Sequence, residues 1–332
     1  VPLAHGGDLG AARLLFPDAP QPFVDLSTAI NPHPYPVPSL SADVFARLPE
    51  PAALERLAAI AAETYGAPSG AHVVAAPGTQ ILLPSVAALL PPGRAAVLGP
   101  TYAEHVRAAV QAGHRVDEVG QLSVLRHADL AVVVNPNNPD GRVIERATLL
   151  DCARSLPAGG MLVVDEAFGE VAAAGTSLAG DVERGPIVVL RSFGKFFGLA
   201  GLRLGFALTN PATAMRLRAA LGPWAVSGPA LAIGTIALQD HAWAEATRSR
   251  LMQAALRLDA LLAGSGLDIV GGTALFRLVQ ARSGVELFQH LGRAGLWVRR
   301  FAEAPDRLRF GLPGSEADWE RLGAALVAFQ AA

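Results

Sequence analysis

The sequence predicts an α/β fold: a large domain with a mostly parallel central sheet covered by helices, then a smaller α+β domain at the C-terminal end. Three observations predict it. Strand-sized apolar runs such as HADLAVVVN and GMLVVDEA alternate with segments of helical spacing, the order that builds a parallel sheet buried on both faces. From about Pro211 that alternation stops, and helical segments are followed by a run of short strands. The chain has 332 residues, 51% of them hydrophobic and 17% charged, enough core for one large unit or two that share an interface.

Each element has its local reason. Residues 1–40 are rich in Pro and Gly (FPDAPQPFVDLSTAINPHPYPVPSL) and read as an irregular N-terminal arm over a folded body. Residues 41–210 form the large domain. PAALERLAAIAAETYGAP has helical spacing at Leu54, Leu57, Ile60, Ala61 and Tyr65, and it stops at Gly66 with Pro68 beyond. HVVAAPG leads into a turn and TQILLPSVAALL into an apolar helix. RAAVLGP reads as a strand, YAEHVRAAVQAG as a helix, HADLAVVVNP as a strand and RATLLDCARSL as a helix. GMLVVDEA, PIVVLRSF and LRLGFALT read as further strands. Residues 211–332 form the small domain. Its helices are ATAMRLRAALG, PALAIGTIALQ and HAWAEATRSRLMQAALRLDALLAG. Its strands are LDIVGG, LFRLVQ, GLWVRRF and RLRFGL, and EADWERLGAALVAFQ closes it.

Composition excludes several function classes. A formal net charge of −2 gives no electrostatic footprint for nucleic acid or an anionic membrane. No run has the length and purity of a membrane span. The N-terminus lacks a charged segment followed by an apolar one, so no signal peptide is expected. The single cysteine, Cys152, permits no internal disulfide and fits a reducing cytoplasm; it reads as a small buried apolar residue. No GxGxxG or P-loop opens a βαβ unit, which argues against a nucleotide-binding protein, and no metal site is expected.

The chemistry concentrates in the turns that follow strands, where open α/β sheets bind ligands. Of the 27 lysines and arginines only Lys195, in RSFGKFFGLAGLRLGF, is a lysine. Arginine keeps its proton in proteins, whereas lysine can lose it, attack a carbonyl and form a Schiff base. Asp165 in MLVVDEAFGE ends a buried strand, where a carboxylate is costly without a cationic partner; a turn-capping aspartate is the competing reading. NPNNPDG offers Asn138 as an amide donor, although taken alone it is an ordinary turn. APGTQ places Gly78, Thr79 and Gln80 at a helix start suited to a phosphate, with Ser192 and Arg203 able to complete the site. Tyr102 in GPTYAEH offers a flat aromatic face, with His105 three residues on.

In this order and at these separations, the set resembles the fold-type I pyridoxal-phosphate enzymes of the aminotransferase class I/II branch. The resemblance covers nearly the whole chain and implies the PLP-dependent transferase fold with pyridoxal 5'-phosphate as cofactor. It makes Lys195 the lysine joined to the cofactor and Asp165 the partner of the protonated ring nitrogen. Asn138 becomes the donor to the phenolic oxygen and Tyr102 the stacked aromatic, with His105 beside the aspartate. Gly78, Thr79, Gln80, Ser192 and Arg203 form the phosphate cup. Arg309 in DRLRFGLPG sits where the family holds a substrate α-carboxylate.

Within that family, HGGDLG followed by VDLSTAINPHPYP resembles the opening of the threonine-phosphate decarboxylases of cobalamin biosynthesis, as do SFGKFFGLAGLRLGF and GPWAVSGPAL. The resemblance implies decarboxylation of L-threonine O-3-phosphate to (R)-1-amino-2-propanol O-2-phosphate. His5, Asn31, Arg299 and Arg300 are then candidates for the substrate phosphate. Many relatives carry a tyrosine three residues after the aspartate, where this chain has Phe168. The alternative is an aminotransferase of the histidinol-phosphate type, against which Phe168 and the HGGD opening argue. A cytoplasmic homodimer is implied, although Leu48 stands where relatives often have a tyrosine that reaches the neighbouring subunit's cofactor phosphate.

Overall fold

The computed structural model describes residues 6–330. They divide into two compact units, one of residues 34–138 and 142–244, the other of residues 6–33, 139–141 and 245–330. The chain opens in the smaller unit with α1 (Leu9–Leu15), capped by Asp8, and β1 (Val24–Leu26). The arm is therefore more regular than its Pro and Gly content predicts. Three residues pairing with a distant strand leave no periodicity to read.

The larger unit begins with α2 (Asp43–Ala46) and α3 (Pro51–Tyr65). Pro51 stands in the first turn of α3, where its missing N–H costs nothing, and Gly66 ends the helix with φ 79°, the stop its sequence predicts. Then come β2 (Val73–Ala76), α4 (Thr79–Ala87), β3 (Arg94–Leu98), α5 (Glu104–Gln111), β4 (Arg115–Val119) and β5 (Leu130–Val134). They are followed by α6 (Arg146–Ser155), β6 (Met161–Asp165), β7 (Ile187–Ser192), α7 (Phe193–Phe196) and β8 (Gly205–Thr209). The seven strands form one sheet in the order β2-β8-β7-β6-β5-β3-β4. It is mostly parallel, with β8 antiparallel to both of its neighbours. Strands β5 and β6 are buried at every position, as unbroken apolar runs require. The edge strand β4 reads RVDEV and is mostly exposed, so its sequence carries no buried-strand signal.

Helices α8 (Pro211–Leu221) and α9 (Gly228–Gln239) also belong to this unit. Ala214 and Leu217 of α8 are fully buried in its core. Asn210 and Ser227 cap the two helices by accepting from backbone N–H groups three residues on. The composition change at Pro211 thus marks the end of the sheet, while the compact unit continues to residue 244.

The smaller unit takes most of α10 (His241–Gly264), then β9 (Asp268–Thr273), β10 (Phe276–Gln280), α11 (Gly284–Arg293), β11 (Leu296–Phe301), β12 (Ala304–Gly311) and α12 (Glu316–Gln330). Its sheet runs β1-β11-β12-β10-β9, with β1 parallel to β11 and the other pairs antiparallel. Phe16, Phe288 and Trp297 pack together beside it at tilted to edge-on angles, with centroids 5.3 to 6.4 Å apart. Among the described residues no helix is long and apolar enough to cross a membrane.

One buried polar network lies on the α3 side of the large sheet. Arg191 of β7 donates from Nη1 to Glu166 at 2.8 Å, and its Nη2 lies 3.4 Å from Glu170. Its guanidinium sits 4.5 Å from the centre of the Tyr65 ring. Glu166 also accepts from the Ser177 hydroxyl (2.6 Å) and the Leu178 N–H (2.8 Å). Burial pushes the guanidinium down, but the Glu170 and Glu166 charges outweigh it and hold Arg191 above the ordinary arginine range. Truncating one member of a buried ion pair strands the other. Arg191→Ala is therefore expected to lower unfolding stability by about 3–5 kcal/mol in urea titrations. Asp117→Ala, which breaks the exposed Arg94–Asp117 pair, is expected to cost less than about 1 kcal/mol in the same titrations.

Candidate active site

The strand registers bring the candidate residues of the larger unit to one end of its sheet. Asp165 ends β6, opposite Val134 of β5 and Leu190 of β7. Ser192 ends β7 opposite Gly205 of β8, and Gly205 stands opposite Ala76 of β2. Side chains alternate between faces, so Asp165 shares a face with Met161 and Val163, and Ser192 with Val188 and Leu190. Those four pack in the core under α4, α5 and α8. Glu166 and Arg191, one residue away, go to the other face and form the network described above.

On the face it shares with Met161 and Val163, Asp165 is 4% exposed and has two partners. His105 Nε2–H of α5 donates to Oδ2 at 2.8 Å, and the Ala167 N–H donates to Oδ1 at 3.0 Å. A carboxylate that only accepts fixes the histidine tautomer, with the proton on Nε2. The expectation that His105 lies beside the aspartate is met by this contact. Lys195 is half-buried in α7, directly after β7, with Nζ 6.0 Å from the centre of the Phe168 ring, at the outer limit of cation–π reach. Aromatic rings seat that short helix. Phe193 stacks on Phe197 (4.2 Å, 9°), Phe197 stacks on Trp243 (5.5 Å, 9°), and Tyr35 meets Trp243 edge-on at 5.0 Å. Trp243, 48 residues after Lys195, is not legible in the sequence, because a stacking partner that distant leaves no local pattern.

The phosphate-cup candidates converge where β2, β8 and α4 meet. Gly78 (φ 86°, ψ 159°) precedes α4 in a conformation open only to glycine. A Cβ there would lie 2.6 Å from Arg203 Nη2, and a Cβ on Gly205 would lie 2.6 Å from the Thr79 nitrogen. Arg203 has φ 56°, unusual for a residue with a side chain, and donates from Nη1 to the Ala200 carbonyl at 3.1 Å. The bare glycines thus leave a guanidinium and the first N–H groups of a nine-residue helix close together, an arrangement suited to an anion.

Tyr102 precedes α5 and packs against the core, its ring 6.1 Å from that of His105. Asn138 lies in the turn after β5. That turn is pinned on two sides. The Asn135 N–H donates to the Asp165 carbonyl at 2.8 Å. The fully buried Asn137 donates to the Pro100 carbonyl (3.0 Å) and accepts from Thr101 Oγ1 (2.6 Å). Sequence reading missed Asn137. In NPNNPDG any of the three asparagines could face inward, and only the fold separates them.

The smaller unit holds the remaining candidates. Arg299 of β11 pairs in register with Arg309 of β12, which puts both side chains on one face. Arg309 is 6% exposed, donates from Nη2 to the Ser27 carbonyl at 2.5 Å, and lies 5.1 Å from the centre of the Phe276 ring. Burial, and then the facing Arg299, push its guanidinium down to about 9, against the pull of Asp25. It therefore stays charged at neutral pH, in a place that an anion would stabilise. Asp25 accepts from the Ser27 N–H and hydroxyl (2.8 and 2.6 Å), and Ser27 Oγ accepts from the Gly7 N–H (2.8 Å). Asn31 is buried, and its Oδ1 accepts from the His33 N–H at 2.9 Å. Arg300 points away, exposed, over the Phe288 ring at 4.8 Å. His5 lies outside the described residues.

The residues of the larger unit fit pyridoxal 5'-phosphate. A buried carboxylate with a histidine donor is suited to a protonated ring nitrogen, and the Gly78–Arg203 cradle to a phosphate. Comparison with known proteins gives the same direction. The family model of aminotransferase class I and II matches residues 45–326. The threonine-phosphate decarboxylase of Pseudomonas aeruginosa is 44% identical, covering 99% of this chain and 98% of its own. That of a Sinorhizobium species is 40% identical, covering 98% of each. Among solved structures, the histidinol-phosphate aminotransferase of Sinorhizobium meliloti, crystallised with pyridoxal 5'-phosphate, superposes with a TM-score of 0.84. It has 20% identity and covers 100% of this chain and 95% of that one, a likeness of fold.

Gly78→Ala tests the cup. A methyl group there meets the Arg203 guanidinium and forces a strained backbone. The variant is expected to lose about 1–3 kcal/mol of stability and to bind pyridoxal 5'-phosphate about tenfold more weakly, read by absorbance titration of the apoprotein.

Proposed function

The chain belongs to the aminotransferase class I and II family, and from that premise we propose that it decarboxylates L-threonine O-3-phosphate to (R)-1-amino-2-propanol O-2-phosphate in cobalamin biosynthesis. Its cofactor is pyridoxal 5'-phosphate. The observation that carries the substrate half is the facing pair Arg299 and Arg309. One guanidinium answers the α-carboxylate of an ordinary amino acid; a second on the same face suits a substrate with another anion. The full-length likeness to decarboxylases of that name supports the same reading.

When bound, the cofactor supplies an electron sink for the pair released at the substrate Cα. The protein supplies the rest. Asp165, held by His105 and the Ala167 N–H, keeps a proton on the ring nitrogen. Asn138 donates to the phenolic oxygen, where Phe168 has no hydroxyl to add. Gly78, Thr79, Gln80, Ser192 and Arg203 hold the cofactor phosphate, and Tyr102 covers the ring. Lys195 would hold the cofactor at its aldehyde carbon, and its side-chain ammonium would be placed to deliver a proton to the substrate Cα after loss of CO2. Arg309 holds the α-carboxylate; Arg299, Asn31 and His5 hold the substrate phosphate. Proton delivery to Cα distinguishes this reaction from transamination, in which the Cα proton is removed and the carboxylate stays.

The working form is a cytoplasmic homodimer. Phe45 and Leu48, 69% and 66% exposed, provide apolar surface of the kind a partner subunit covers.

The decisive assay gives the protein threonine phosphate and no oxo-acid. Repeated turnover with release of one CO2 per aminopropanol phosphate is expected, and Lys195→Ala is expected to abolish it. Turnover only with glutamate and an oxo-acid, without CO2, would overturn the proposal in favour of an aminotransferase of the histidinol-phosphate type.

A further inference from the structure

Gln80 offers more than a backbone N–H at the start of α4. Its side chain lies between Tyr102 and Glu104. Tyr102 Oη–H donates to Gln80 Oε1 at 3.1 Å, and Gln80 Nε2–H donates to Glu104 Oε2 at 2.6 Å. Glu104 opens α5 and is 3% exposed, and Arg107 Nη1 reaches its other oxygen at 3.3 Å.

The direction of this chain is forced by chemistry. An ionised carboxylate only accepts, so the Gln80 amide must turn its NH2 toward Glu104 and its oxygen toward Tyr102. Facing that oxygen, the phenol must donate. Glu104 itself is favoured where it stands, since a carboxylate in the first turn meets the positive end of the helix dipole and the Arg107 cation. The bond at 2.6 Å is short, as charge-assisted bonds are. A buried carboxylate on one helix thus fixes an amide on a second, and that amide fixes the outer end of an aromatic ring.

We propose that Glu104 and Gln80 are positioning residues that set the tilt of the Tyr102 ring over the cofactor and link that tilt to the helix start holding the cofactor phosphate. The proposal rests on the reading of Tyr102 as the ring-covering residue. It makes the Tyr102 hydroxyl necessary and phenylalanine an inadequate substitute. It also predicts that the three side chains act as one unit toward the cofactor.

The test uses apoprotein reloaded with pyridoxal 5'-phosphate. Two readouts apply besides activity: the dissociation constant from absorbance titration, and the visible circular dichroism of the bound cofactor, which reports ring orientation. Tyr102→Phe and Gln80→Leu are each expected to weaken binding about five- to tenfold and to change the dichroic band. The double variant is expected to be no weaker than the worse single one, because the second change removes nothing further. Glu104→Gln, which frees the amide to flip, is expected to move the band in the same sense by a smaller amount. Multiplicative effects in the double variant, or an unchanged band and affinity in Tyr102→Phe, would overturn the proposal. Tyr102→Phe removes one oxygen and decides the matter even if Gln80→Leu fails to fold. Wild type that takes up no cofactor would remove the underlying reading instead.

Discussion

A carboxylate at the end of a fully buried strand is the constraint around which this site is built. Ionised and unpartnered, Asp165 would cost several kcal/mol of folding free energy. The fold answers with a histidine from α5 on one oxygen and a backbone N–H on the other. Meeting that demand fixes how α5 sits on the sheet and where the loop before it, with Tyr102, must run. It also fixes the turn after β5, since the Asn135 N–H is bonded to the carbonyl of the same aspartate. Both partners of Asp165 are hydrogen-bond donors that hold the carboxylate in place.

Strand parity separates chemistry from stability at this end of the sheet. Asp165 and Glu166 are neighbours in sequence, and both are buried acids. Glu166 faces an arginine that lies almost wholly out of water and ties β6 to β7. Asp165 faces a histidine of α5. Ser192 and Arg191 divide in the same way on β7. The ionic network on one face joins β6 to β7, and the other face carries the candidate site residues Asp165 and Ser192.

Much of this was legible in the sequence, for identifiable reasons. β5, β6 and β7 begin as unbroken apolar runs, and the polar residues that follow point to the end of the sheet where the candidate site residues gather. Gly78 and Lys195 were legible because few residues can replace them: one stands in a glycine-only conformation, the other is the chain's single lysine. What was not legible depends on distance in sequence or on weak patterning. β4 is a polar edge strand and β1 three residues in a Pro-rich arm; α11 is different, since Leu287, Phe288 and Leu291 give it a clear apolar face that the sequence does show. The Glu104–Gln80 bond joins residues 24 apart, and the Phe197–Trp243 stack joins residues 46 apart. Arg299 and Arg309 were legible as candidates but not as a facing pair, because register is a property of the sheet.

The lone lysine brings these observations together. Arginine serves wherever only a positive charge is needed, and this chain uses it everywhere else. It cannot serve where an amine must bond to carbon and later let go. The most direct measurement of that claim is borohydride reduction of the cofactor-loaded protein followed by peptide mass spectrometry. The account predicts one stoichiometric phosphopyridoxyl group, on Lys195. A label at another position, or none on a protein that retains bound cofactor and activity, would contradict it.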